Sequence, residues 1–262
     1  MNILLEIAAK TQERVNAQKD KISLEKIKSK AEQLATDFDG NYRFYNALSG
    51  EGIHLICEAK KASPSKGLIA ENFDYLNIAK DYEKGGASAI SVLTEPYWFL
   101  GSDAYLQQIK ANVNIPVLRK DFTVDDYQIY EAKALGADAI LLICMLMDGE
   151  TLSRRIQLAK SLGLSALVET HSEAEIEMAI AAGAQIIGVN NRNLTDFTVD
   201  VSLSGKYREK VPSDILFVAE SGIKNEEQVR LLESQGVNAV LIGETLMRAD
   251  DRVAAVKQFL GR

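Results

Sequence analysis

Cysteine and histidine are nearly missing from this chain: Cys57, Cys144, His54 and His171 are all it has in 262 residues. Two cysteines, each inside an apolar run, supply no disulfide framework and behave as small buried hydrophobes, which points to a reducing compartment. No Cys/His spacing of a transition-metal site occurs, so no metal is expected. Long hydrophobic runs are missing too. The longest, Ala139 to Met147, is far short of the roughly 20 residues that span a bilayer. The start of the chain lacks the basic region, apolar core and small-residue cleavage site of a signal peptide, so a cytoplasmic protein is expected. An excess of positive charge is also absent. The formal net charge of −7 gives no general electrostatic grip on nucleic acid or an anionic membrane. A local basic cluster inside a cleft can still hold a small anion.

What is present is an ordinary globular composition, 47% hydrophobic and 26% charged, long enough for two average domains or one large α/β barrel. Repetition decides between them. From residue 53 onward, helical segments end in glycine plus a small or apolar residue, and a short apolar strand follows. Gly86-Ala87 precedes Ala89 to Leu93, Gly136-Ala137 precedes Ala139 to Ile143, Gly183-Ala184 precedes Ile186 to Val189, and Gly236-Val237 precedes Ala239 to Ile242. Glycine suits the left-handed position that closes a helix. Intermediate strands are visible at Pro116 to Arg119, Ala166 to Glu169 and Leu216 to Ala219. With the strand at Ile53 to Ala59 the total is eight, each continuous and rich in Ile, Val and Leu, as in parallel sheets covered on both faces. Such a series predicts an α/β fold of the closed (β/α)8 barrel type over residues 49–262. An open doubly wound sheet is the competitor, weakened by the absence of a Gly-rich dinucleotide fingerprint after any early strand. No internal linker is visible, and a single domain is expected.

Residues 1–48 differ. Ile3, Leu4, Ile7, Ala8 and Val15 share one helical face, and Ser23 is placed to cap a second helix with apolar positions Leu24, Ile27, Ala31 and Leu34. A short third helix is expected over Tyr42 to Leu48. None of these has a core of its own, so a helical extension docked on the barrel is expected.

The chemistry sits where apolar strands stop. Strand one ends in Glu58 and Lys60, two residues apart and therefore on the same face, then opens into the loop Ser63-Pro64-Ser65. Later strands end at Lys120, at Glu169, at Asn190 with Arg192 following, at Glu220 with Ser221-Gly222, and at Gly243-Glu244. One polar strand end is ordinary. A set carrying several acids and bases that converges on one barrel mouth is costly to desolvate without a purpose. The glycine turns after the last two strands occupy the usual phosphate positions of such barrels and point to a sugar phosphate.

The ordered set resembles the indole-3-glycerol-phosphate synthase family of tryptophan biosynthesis. The matching segments are Glu58-Ala-Lys60-Lys-Ala-Ser63-Pro64-Ser65, Leu93-Thr-Glu-Pro96 with Phe99, Lys120-Asp-Phe122, Leu167-Val-Glu169, Gly188-Val-Asn190-Asn-Arg192, Ala219-Glu220-Ser221-Gly222-Ile223 and Leu241-Ile-Gly243. They run through almost the whole barrel, and a helical N-terminal extension is also a family feature. The resemblance implies ring closure of 1-(2-carboxyphenylamino)-1-deoxyribulose 5-phosphate with loss of carbon dioxide and water, without metal or organic cofactor. It implies Lys120 as general acid, Lys60 assisting departure of the hydroxyl and touching phosphate or carboxylate, and Glu169 as general base, with the division of labour between the lysines left open. Glu58 would hold the lysines, Asn190 and Glu220 would position substrate, and Arg192 would neutralise its carboxylate or orient a glutamate. Ser221, Gly222, Gly243 and Glu244 would bind phosphate through backbone groups, with the Glu244 side chain turned away. Phe99, Phe122 and Leu141 would line the aromatic ring alongside Ser63 and Pro64. Trp98 is read as loop packing and His171 as the start of the next helix. A monomer is expected, with association with other enzymes of the tryptophan pathway left open.

Two kinds of rival stay open on the residues alone. One is another phosphate-binding barrel enzyme, such as phosphoribosylanthranilate isomerase or a Schiff-base aldolase with an imine-forming lysine. The other is a non-catalytic sugar-phosphate-binding module, which has no need of Glu58, Lys60, Lys120 and Glu169 together.

Overall fold

A computed structural model describes residues 3–193 and 197–262. The first two positions of the expected extension lie outside the described residues. The chain opens with helices α1 (Ile3–Lys21), α2 (Leu24–Ala35) and α3 (Arg43–Leu48), then strand β1 (His54–Ala59). A two-strand hairpin, β2 (Ala62–Ser63) and β3 (Gly67–Leu68), follows, and then α4 (Tyr75–Gly85), β4 (Ala89–Leu93), α5 (Asp103–Lys110), β5 (Val117–Lys120), α6 (Asp126–Leu135) and β6 (Ala139–Ile143). After a 3-10 turn at Cys144–Leu146 come α7 (Gly149–Ser161), β7 (Ser165–Thr170), α8 (Glu173–Ala181), β8 (Ile186–Asn190), α9 (Ser202–Arg208) and β9 (Leu216–Glu220). The chain ends with α10 (Glu226–Ser234), β10 (Ala239–Ile242), α11 (Glu244–Met247) and α12 (Arg252–Phe259).

Eight of these strands pair in parallel in the order β1-β10-β9-β8-β7-β6-β5-β4 and close into a barrel, because β1 also pairs with β4. The open-sheet alternative is thereby set aside. Strand pleat sorts the side chains into two apolar layers. Ile56, Leu118, Leu141, Leu167, Val218 and Leu241 point inside the barrel, while Leu55, Cys57, Ile90, Leu142 and Val240 face the helices. At the entry end, Phe44 and Leu48 of α3 join the inner cluster, and Ser165 Oγ accepts the Tyr45 N–H at 3.3 Å. The helix stops follow the glycine pattern: Gly86 and Gly136 close α4 and α6 at φ +101° and +89°.

Ser23 caps α2 by accepting from Lys26 N. Ile27 and Ala31 are buried, but Leu24 and Leu34, expected on the same face, are exposed. The apolar stripe of α2 is therefore narrower than its spacing indicated, although the helix packs closely along α6. Val15 and Ile27 meet Tyr127 of α6 in a small cluster outside the barrel core. No helix among the described residues is long and apolar enough to cross a membrane.

Candidate active site

The strand register decides which charges meet. Glu169 pairs with Gly188, Asn190 with Glu220, Leu93 with Lys120, and Glu58 with Ser91. A cavity of about 1090 Å³ opens at this end of the barrel. Its lining includes the strand-end residues Glu58, Lys60, Lys120, Glu169, Asn190, Arg192 and Glu220. The loop and wall residues Ser63, Pro64, Phe99, Phe122 and Leu141 also line it, as do Ser221, Gly222, Gly243 and Glu244. Every residue expected at the site is therefore in one cavity.

Lys120 is the hub. Its Nζ lies 2.5 Å from Glu220 Oε2 and 3.0 Å from Glu169 Oε2. Burial works against the ammonium, but the carboxylates of Glu220, Glu169 and Glu58 outweigh it and hold Lys120 well above the ordinary lysine range. Burial likewise pushes both partner carboxyls up, with opposite outcomes. Glu169 is drawn well below the usual range by Lys120, by His171 and by Asn190 Nδ2, which donates to its Oε1 at 3.1 Å. Glu220 also has Lys120, but its Oε1 is buried without a hydrogen-bond partner, and its neighbours Glu169 and Glu58 raise it further, to about 7. One cation cannot fully neutralise several carboxylates, so a proton added to the cluster goes to Glu220 while Glu169 stays charged. Environments that separate two carboxyls in this way assign them different roles.

Lys60 forms a close ion pair with Glu58 beside this cluster. Gly243 makes room for that pair, since a Cβ there would collide with Glu58 Oε1 and sit 3.0 Å from Lys60 Nζ. Gly188 does the same for Glu220, whose Oε1 occupies the space a Cβ would need. At the turn expected to face phosphate, Ser221 has φ +71° and Gly222 φ +82°. A non-glycine residue in the left-handed region is uncommon and stores strain at functional turns. Asn191 holds the turn by donating to the Ser221 carbonyl at 3.1 Å. Glu244 turns toward the rim cations Arg248, at 3.2 Å, and Lys66, at 3.7 Å. Arg192 donates to the Phe197 carbonyl at 3.3 Å. On the apolar wall the Phe99 and Phe122 rings lie 6.1 Å apart. No group of three or more His, Cys, Asp or Glu among the described residues is placed to hold a metal ion.

Several contributors were not marked as site residues by the sequence, although Ile3, Leu4 and Ile7 stood on an expected apolar helix face. Ile3, Leu4 and Ile7 of α1 line the cavity. Arg14 of α1 donates to both oxygens of Asp121 at 2.8 Å, beside Lys120. Buried Glu95 accepts the N–H groups of Tyr97, Trp98 and Phe99, which fixes the loop carrying Phe99. Glu95 lies within the Leu93-Thr-Glu-Pro96 segment, the only hint available. His171 precedes the Ser172 cap of α8 rather than starting the helix, and its ring faces Glu169.

Fold and mouth together define a (β/α)8-barrel enzyme whose mouth gathers paired acids and bases. Comparison with known proteins narrows the class. The indole-3-glycerol phosphate synthase family pattern matches residues 4–259. The chain is 54% identical to the indole-3-glycerol phosphate synthase of Ruminiclostridium cellulolyticum over 99% of both chains. It is likewise 54% identical to the enzyme of that name from Endomicrobium trichonymphae, over 94% of this chain and 95% of the relative. Among solved structures, a 3-hexulose-6-phosphate synthase aligns with a TM-score of 0.66 at 16% identity, covering 80% of this chain and 99% of the other, and shares the fold alone. The chain belongs to the indole-3-glycerol phosphate synthase family, carboxy-lyases of tryptophan biosynthesis.

Proposed function

We propose that this mouth closes the indole ring of 1-(2-carboxyphenylamino)-1-deoxyribulose 5-phosphate, releasing carbon dioxide and water. The observation that carries the reading is the Lys120 ammonium held between Glu169 and Glu220, with a second lysine paired to Glu58 in the same cavity. In the first step the ring carbon bearing the carboxylate attacks the ketone carbon, and Lys120 gives a proton to the ketone oxygen. An ammonium held this firmly stays charged through neutral pH and releases its proton only to an oxygen made strongly basic by the new bond. Loss of carbon dioxide restores the aromatic ring. The hydroxyl then leaves as water with a proton from Lys60, while ionised Glu169 removes a proton from the neighbouring carbon.

Glu58 holds Lys60 for that step, and Asn190 fixes Glu169 through its amide. Glu220 shares the Lys120 charge and orients it. The Ser221-Gly222 turn and Gly243-Glu244 offer backbone N–H groups to the phosphate, assisted by Lys60. Arg192 lies on the cavity wall for the substrate carboxylate. Phe99, Phe122, Leu141, Ser63 and Pro64 enclose the aromatic ring. Every named residue comes from one chain, so a monomer suffices. A cytoplasmic location fits two buried free thiols, Cys57 and Cys144.

The test is direct. The protein is incubated with the carboxyphenylamino-deoxyribulose phosphate and excess chelator, and indole fluorescence is followed. A rise proportional to enzyme concentration is expected; folded protein that yields none overturns the reading. Borohydride added during turnover is expected to leave Lys60 and Lys120 unmodified by mass spectrometry, which separates this chemistry from an imine-forming aldolase.

A further inference from the structure

We propose that His171, backed by Glu175, is a positioning residue that acts as a positively charged strut behind Glu169, keeping that carboxylate ionised and turned into the mouth. The proposal rests on Glu169 serving as the base of the reaction above.

The geometry is a sandwich. His171 Nε2 lies 3.3 Å from Glu169 Oε1, and His171 Nδ1 lies 3.4 Å from Glu175 Oε2. The ring is 13% exposed, between carboxylates that are 5% and 18% exposed. A neutral imidazole has one N–H and one lone pair, so one of its nitrogens would face a carboxylate lone pair to lone pair. Only the imidazolium suits both neighbours. Burial opposes the charge, but contact with Glu169 and Glu175 prevails and raises the ring to about 10. Both contacts sit at ion-pair distance without hydrogen-bond alignment, so the strut works through charge more than through directed bonds.

Glu175 is itself fixed. Its Oε2 accepts the His171 backbone N–H at 2.8 Å, and its own N–H donates to Ser172 Oγ at 3.3 Å. Cys144 Sγ, from the turn after β6, approaches the Glu175 carbonyl at 3.8 Å. The other titratable groups facing this arrangement are Lys120 from β5 and Glu220 from β9, both reached across Glu169.

The strut answers a problem set by the chemistry. Lys120 is the main cation on Glu169, and it is also the group that surrenders its proton. Once Lys120 becomes neutral, Glu169 keeps Asn190 as a neutral donor and needs another positive neighbour to remain a carboxylate through the dehydration. His171 approaches Glu169 Oε1 whereas Lys120 holds Oε2, and the imidazole takes no part in the transfer, so its charge persists when the lysine's is gone. Removing it raises the proton affinity of Glu169, and the acid limb of kcat moves to higher pH. A charge at this distance is worth about one to three pH units.

The experiment has two arms. The first needs no turnover: imidazole NMR shifts of the unliganded protein are followed from pH 5 to 10. With only His54 and His171 in the chain, His171→Gln assigns the signals. One ring is expected to remain an imidazolium past pH 8. A His171 signal that titrates near the ordinary value of about 6.5 overturns the proposal. The second arm compares pH profiles of kcat for wild type, His171→Gln and Glu175→Gln. Both variants are expected to shift the acid limb upward, His171→Gln by more, with KM changed less than twofold. A folded variant whose limb superimposes on wild type overturns the strut. If His171→Gln does not fold, Glu175→Gln at the more exposed position carries the same comparison. Absence of turnover in wild type counts against the ring-closure reading, whereas the NMR arm judges the charge on His171 independently.

Discussion

At the scale of single residues, the site is a problem of distributing too few positive charges among several buried carboxylates. Lys120→Ala removes the group proposed as the acid and is expected to lower kcat by about 10²- to 10⁴-fold, with substrate binding largely kept by the turns and rings proposed to hold the phosphate and the aromatic ring. The same change leaves Glu169 and Glu220 facing each other without their shared cation. Those carboxyls then resist ionisation, so the variant is destabilised most above the carboxylate range and recovers as protons bind. The gap in Tm between Lys120→Ala and wild type is expected to narrow from pH 8 to pH 5; a gap that widens on acidification contradicts this account. Gly188 makes a second test. Its backbone needs no left-handed φ, so Gly188→Ala is a purely steric change that drives Glu220 Oε1 from its place. A loss of about 1–3 kcal/mol in urea denaturation is expected, with a fall in kcat as the partner of Lys120 moves. Little in the sequence marked Gly188 for this role, because what it excludes is a side chain 32 positions away, at Glu220.

At the scale of elements, α1 is more than a cover. Its inner face lines the mouth, and Arg14 grips Asp121, the residue between Lys120 and Phe122. Asp121 is further held by the Thr94 hydroxyl at 2.7 Å and by the Phe122 N–H at 2.8 Å. The helix and the end of β5 are thus one unit. Arg14→Met leaves a buried carboxylate without its bidentate partner and is expected to cost on the order of 3 kcal/mol of stability. It is also expected to raise KM, since α1 loosens over the cavity. Unchanged KM in a folded variant would detach α1 from the site. Arg14 drew no reading in the sequence, because its partner lies 107 residues away. The strand-borne residues were easier. Glu58, Lys120, Asn190 and Glu220 stand where apolar runs stop, and period-two geometry with barrel closure brings them together. Leu24 and Leu34 misled for the opposite reason: helical spacing reports a face but not how deep a partner surface reaches.

At the scale of the whole molecule, eight strand–helix units made the barrel legible, four of them announced by a glycine that closes the preceding helix, because each unit repeats the same local rules. The electrostatics were legible only in part. Net charge says nothing about a half-buried His171 between two carboxylates, since that contact depends on which way a loop turns after β7. It does have a global consequence. The His171 ring is raised from its ordinary value of about 6.5 to about 10 in the folded protein, so folding binds a proton there that the unfolded chain has released. The stabilisation is complete below about pH 6.5 and is lost progressively as pH climbs through about 10. The urea midpoint of wild type is therefore expected to fall across this window more steeply than that of His171→Gln. Lysines and tyrosines titrating at the alkaline end affect both proteins alike, so the difference between the two curves isolates the imidazolium. Parallel curves from pH 6 to 10 would mean that the ring is neutral in the fold. The flattening in the variant should begin near pH 6.5, before lysines and tyrosines titrate, and Glu220, raised to about 7, is present in both proteins, so the difference between the curves is assigned to histidine.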